Sequence, residues 1–205
     1  MSAVLYLEGG GSGPNSKELD IRCREGFRRL LENCGFNGRM PRLFACGGRA
    51  EVFDTFSIAQ TNKRAGEYIG MWIDSEEAMA DINSAWNHLQ NVTTVPKWVK
   101  PVGATDEQVL FMTTCMEAWI VADRAALVEH YGHDLQESAL PALEVLEQQP
   151  RHDVQLKLAR ATRNCLSSYK KGKPSYILLG KLLPATLQRF LPSFARARQI
   201  LNQNL

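Results

Sequence analysis

Residues 3–7, 42–46 and 68–73 are short apolar runs, and the segments between them carry helical periodicity. The chain therefore opens β-α-β-α-β. That alternation leaves few solutions: a mainly parallel sheet, right-handed crossovers and helices covering the sheet. The first helix is expected from a cap at Asn15 or Ser16 to about residue 34, where Gly35 stops it. Its apolar positions Leu19, Cys23, Phe27, Leu30 and Leu31 follow helical spacing, and Arg22, Arg24, Arg28 and Arg29 fill the other face. A second helix fits 49–61, with Val52, Phe53, Phe56 and Ile58 available for burial.

Beyond residue 75 the pattern loosens. A partly helical stretch is expected over 76–89 and a loop over 91–105, followed by a fourth strand over 108–113. One long helix is expected over 116–131, with Trp119, Ile120, Leu127 and Val128 facing the core and Gly132 ending it. From Pro141 onward the chain reads as short helices broken by Pro150, Pro174, Pro184 and Pro192. The expected fold is thus α/β and Rossmann-like, with a four-stranded sheet. Residues 1–150 form the α/β domain, and residues 151–205 form a basic helical extension packed on it.

Composition excludes several classes. The 205 residues include no apolar run long enough to cross a bilayer. The first apolar run reaches Glu8 too soon for a signal peptide. The chain is read as cytoplasmic. Five scattered cysteines form no CxxC pair and are read as buried or incidental thiols. His88, His130, His133 and His152 lack ligand spacing and are read as surface residues. The net charge of +2 hides an asymmetry, because residues 151–205 carry eleven Lys and Arg against one acid, Asp153. Either this part meets an anionic partner such as nucleic acid, or it packs on the acidic body of its own chain.

In an open parallel sheet, ligands gather beyond the carboxyl ends of the strands. Glu8 ends the first strand, and Asp74-Ser75-Glu76 ends the third. Alternate carboxylates on an extended segment point the same way. With a glutamate from a neighbouring strand they can surround a hard divalent ion such as Mg²⁺. The plainer alternative is a set of solvated strand-end acids. Gly9, Gly10, Gly11 and Gly13 fit neither phosphate-loop pattern, since Pro14 stands where the last glycine would be needed. Lys171 and Lys173 in SYKKGKPSY can hold a phosphate as point charges, or form a solvated basic turn before a helix begun by Pro174. Arg49, after Gly47-Gly48 at another strand end, can clamp phosphate, cap its helix or form a salt bridge. Tyr169, Tyr176 and Phe190 lie among basic residues, where base stacking and core packing are both open.

A strand ending in Glu-Gly followed by a strand ending in an Asp-x-acid pair resembles the TOPRIM domain of topoisomerases, primases and overcoming-lysogenization-defect nucleases. More closely, the segments VLYLEGGG, RCREGFRRLL, RMPRLFACGGR, MWIDSEE, GATDEQVLFMTTCMEAWIVADR and YKKGKPSYILL resemble a bacterial TOPRIM-like family of unknown function, often encoded beside AAA-type ATPases. The resemblance implies a site for Mg²⁺ or Mn²⁺ held by Glu8, Asp74 and Glu76, where Glu76 replaces the second aspartate of the usual DxD. A further acid of the related nucleases is Ser12 here. Glu117 resembles a glutamate near the metal centre of those nucleases, and as a residue it also suits a helix N-terminus. Asp106 and Asp123 are read as lesser candidates with solvated surface as the default. The implied catalytic set is Glu8, Asp74, Glu76, Glu117 and Lys173, with Arg49, Lys171 and Lys173 toward phosphate. The implied activity is phosphodiester cleavage of nucleic acid, within a phage-defence system that includes an AAA- or ABC-type ATPase. The other reading is a non-catalytic module that docks such an ATPase.

Overall fold

A computed structural model describes residues 2–11 and 16–205. Four strands, β1 (Ser2–Leu7), β2 (Arg42–Ala45), β3 (Glu67–Asp74) and β4 (Val109–Met112), form one parallel sheet in the order β2-β1-β3-β4. Helices α1 (Ser16–Asn33) and α2 (Arg49–Thr61) make the first two crossovers. β3 and β4 are apolar and buried along almost their whole length because both of their faces are covered.

The two faces separate by strand alternation. Ala3, Leu5, Leu7, Tyr68, Trp72, Leu110 and Met112 pack with α1 residues Cys23, Phe27, Leu30 and Leu31 and with the later helices. Ile69, Met71, Ile73, Val109 and Phe111 pack with Val52 and Phe56 of α2 and with α3 (Ala85–Asn91). The first core extends without a break into α6 (Arg151–Thr162), α7 (Lys173–Leu179), α8 (Pro184–Phe190) and α9 (Pro192–Asn204), so the basic C-terminal segment shares the core of the sheet. Among the described residues, no helix is long and apolar enough to cross a membrane.

Several expectations change. The single helix over 116–131 is two: α4 (Met116–Ala122) and α5 (Arg124–Tyr131). The break is at Asp123, which is buried and not solvated. Its carboxylate accepts from the Ala126 amide at 3.2 Å and from the Leu183 amide at 2.8 Å, so it caps α5 and ties down the loop before α8. Val128 and Ile58 face outward. The expected helical content of 76–89 shrinks to α3, which begins only at Ala85. Pro174 lies in the first turn of a helix as expected, and Pro184 and Pro192 likewise start helices instead of breaking them, where the missing N–H costs nothing. Cys23, Cys34, Cys115 and Cys165 are buried, whereas Cys46 is partly exposed. The proposed cap at Asn15 lies outside the described residues.

Two close contacts make the helical layer testable. A Cβ added at Gly26 of α1 would lie 2.6 Å from the Tyr176 carbonyl oxygen of α7. Gly26→Ala should therefore lose about 1–3 kcal/mol in urea unfolding, despite a helix-propensity gain of about 1 kcal/mol. An equally stable variant would show that the helices do not pack this closely. The second contact is at Glu147, whose carboxylate accepts from the Ser193 amide at 3.0 and 3.2 Å and from its hydroxyl, capping α9. Burial pushes this carboxyl up to about 7 while the Ser193 bonds pull it down. The folded state thus favours the protonated form, and the corresponding stability is lost as pH rises from about 4.5 through about 7. Glu147→Gln should flatten thermal stability against pH across that window. An unchanged profile would dismiss the protonated carboxyl.

Candidate metal and phosphate site

α1 carries the chain away from β1 on one face of the sheet, and α2 returns it to β3 on the other. The carboxyl ends of the adjacent strands β1 and β3 therefore frame the switch point of the sheet. Register Leu7↔Trp72 continues one step further, with the Glu8 amide bonded to the Trp72 carbonyl at 2.8 Å. Glu8 Oε2 in turn accepts from the Asp74 amide at 2.9 Å. Asp74 is buried, and its Oδ1 accepts from the Met116 amide, the first of α4, at 2.9 Å.

Glu76 joins them by a different route from strand alternation. Its φ is +69°, a left-handed conformation that a side chain seldom adopts. The backbone is pinned in this turn: Ser75 N donates to Met112 O at 3.3 Å, and Glu76 N donates to Thr114 O at 3.0 Å. His88, far from being a free surface residue, places Nε2 2.9 Å from the Ser75 carbonyl. The outcome is a cluster in which one carboxylate oxygen from each of Glu8, Asp74 and Glu76 lies within 4.8 Å of the others. An all-oxygen set of this kind can hold a hard cation.

The electrostatics also fit a cation. Burial, and next the Glu8 charge, push Asp74 well above the usual carboxylate range, while Lys171 and Arg151 pull it back. Burial also raises Glu8, against the Asp74 amide bond and the charges of Lys171, Arg49 and Arg151. Two adjacent carboxylates that resist ionisation together are what a bound cation would relieve.

An open cleft of about 410 Å³ lies beside the pair, lined by Glu8, Gly9 to Gly11, Gly47, Gly48, Asp74, Met112, Met116, Lys171 and Tyr176 among others. The glycine loop offers little to a phosphate. Gly9 N bonds Gly47 O at 2.8 Å, Gly10 N bonds the Tyr176 hydroxyl at 2.7 Å, and Gly11 N bonds Asp20 Oδ1 at 3.1 Å. Glycine is favoured at position 10 by its φ of +101°, and a Cβ there would also push aside the Asp20 carboxylate that holds the Gly11 amide. Ser12 lies outside the described residues.

The remaining candidates divide. Lys171 is exposed on the cleft wall, whereas Lys173 forms a surface ion pair with Glu18 at 3.2 Å. Arg49 lies 3.8 Å over the ring of Trp98, which stacks on Phe53 at 4.3 Å. Its Nε and Nη2 are shielded and make no hydrogen bond among the described residues. Glu117 is buried, accepting from the Tyr169 hydroxyl at 2.9 Å and from Gln155 at 3.3 Å, close enough to raise Asp74. Tyr169 and Tyr176 are thus engaged by their hydroxyls. Asp106 holds the Trp86 amide at 2.8 Å, in a contact away from the cleft. Arg151, unremarked in the sequence, is ion-paired with Glu76. Its one sequence signal is a cation in the first turn of a helix, where the dipole disfavours it. Comparison with protein families, curated proteins and solved structures returns no match.

Asp74→Asn keeps an acceptor for the Met116 amide and removes a buried charge beside Glu8. Without divalent ions the variant should be more stable than the parent at neutral pH, by about 1 kcal/mol or more. Calorimetric melting checks this, and a less stable variant would mean that the carboxylate is fully compensated by its cations.

Proposed function

We propose that the chain is a divalent-metal-dependent phosphodiesterase of the TOPRIM-like class that cleaves nucleic acid. The observation that carries this reading is the convergence of Glu8, Asp74 and Glu76 at the switch point of a parallel sheet. Those three residues would hold Mg²⁺ or Mn²⁺, which when bound neutralises phosphate charge and activates an attacking oxygen. Lys171, on the cleft wall, and Arg49, stacked over Trp98 with its charge bearing on Glu8 and Asp74, suit the phosphate. Glu117 acts from behind Asp74, fixed by Tyr169 and Gln155. The pairing of Lys173 with Glu18 supports a role at the rim of the site more than at the reacting atoms.

A second reading has one observation in its favour. The Arg151–Glu76 pair neutralises a carboxylate of the cluster without any metal, as a non-catalytic module docking a partner ATPase would require. Cleavage assays on plasmid, single strands and tRNA with Mg²⁺ or Mn²⁺ separate the two. Asp74→Ala should lower cleavage by at least about 100-fold. Equal activity in the variant would remove the cluster from the reaction, and absence of divalent-ion binding by calorimetry would favour the docking module.

A further inference from the structure

Arg151 opens α6, and its guanidinium Nη1 is paired with Glu76 Oε2. Among the described residues it has no other polar partner, and about a third of its side chain is exposed, so it is free to turn outward. Its charge bears on Glu8 and Asp74 as well as on Glu76. Its charge therefore reaches all three carboxylates of the cluster, and it pairs directly with the one that a cation would share.

The charge count around the cleft decides what this means. Glu8, Asp74, Glu76 and Glu117 face Arg49, Lys171 and Arg151, leaving one net negative charge when all are ionised. A divalent cation would turn that into one net positive charge, with the guanidinium among its nearest like charges. Two cations on one buried carboxylate repel strongly in a poorly screened site. The repulsion is relieved when the guanidinium leaves Glu76 for an anion, and a singly charged phosphodiester restores neutrality. Arginine also matches phosphate oxygens in planar geometry.

We propose, resting on the metal-site reading above, that Arg151 is an exchangeable counter-cation. It holds Glu76 in the metal-free protein and passes to the phosphodiester phosphate of the substrate when a divalent cation takes its place. The role differs from that of a residue that merely orients Glu76, and the two roles have opposite consequences for metal affinity.

The test is Mn²⁺ binding to the full chain, read by the spectroscopic signal of the free ion, in the parent, Arg151→Gln and Arg151→Lys. Arg151→Gln should bind Mn²⁺ at least about fivefold more tightly than the parent, since the competing charge is gone. Arg151→Lys, which keeps the charge, should stay close to the parent. Weaker or equal Mn²⁺ binding by Arg151→Gln overturns the exchange. Should that variant be unfolded without metal, Mn²⁺ should refold it, as ligand linkage requires; failure at saturating Mn²⁺ overturns the proposal too. In a second measurement, Mn²⁺-loaded Arg151→Gln should bind inorganic phosphate at least about fivefold more weakly than the loaded parent, and equal binding is again contrary. If neither the parent nor Arg151→Gln binds Mn²⁺, the metal-site reading falls as well. If the parent binds and Asp74→Asn does not, a failure at Arg151 concerns this inference alone.

Discussion

The hydrogen bond from the Asp74 amide to Glu8 Oε2 places two carboxylates side by side at the carboxyl ends of the two central strands. Everything near them can be understood as a response to that repulsion. The apolar face of β1 and β3 fixes the strands in register, so the acids cannot drift apart without unpacking Leu7 and Trp72. Asp74 gains the first amide of α4, Glu8 gains the amide of Asp74, and Lys171, Arg49 and Arg151 converge from three other parts of the chain. Burying like charges this way costs stability and is tolerated where the site has a use for it.

The same view resolves the charge asymmetry of the chain. Much of the basic excess after residue 150 is engaged within the molecule. Arg196 donates to the carbonyls of Val109 and Asp106 at 3.0 and 2.7 Å, and Arg198 donates to that of Cys34 at 3.2 Å. Lys181 pairs with Glu129 at 3.0 Å, and Lys173 with Glu18. These cations fasten the C-terminal helices to the sheet edge and to α1 and α5. Only a part of the excess, with Lys171 and Arg151 foremost, bears on the carboxylates.

The alternation of apolar runs and helical segments made the four strands legible, most clearly β3 and β4, because a strand buried on both faces leaves a continuous hydrophobic signature. The placement of Glu8 and Asp74 followed from strand ends alone. What did not follow depends on tertiary partners. Asp123 reads as a polar position within a helical pattern, yet the amide of Leu183, sixty residues on, gives it a reason to interrupt the helix. His88 has no ligand spacing, and its contact with the Ser75 carbonyl depends on where α3 docks. Trp98 lies in a stretch with no period at all, although it sets the plane of Arg49. Arg151 is distant in sequence from Glu76, and no local pattern joins them.

The turn at Glu76 also bears on why a glutamate, and not an aspartate, stands two residues after Asp74. On an extended segment, residues two apart share a face, and a short carboxylate would suffice. Here the chain leaves the strand after Asp74 and enters a left-handed turn, so that alternation no longer aims the side chain. A non-glycine residue in this conformation costs about 1–2 kcal/mol, and glycine would relieve it only by removing the carboxylate. The longer arm of glutamate lets a buried oxygen reach Glu8 and Asp74 from the altered backbone, and it also meets the guanidinium of Arg151. On this argument the glutamate is matched to the turn, and the local backbone strain is the cost of keeping three carboxylates in one place.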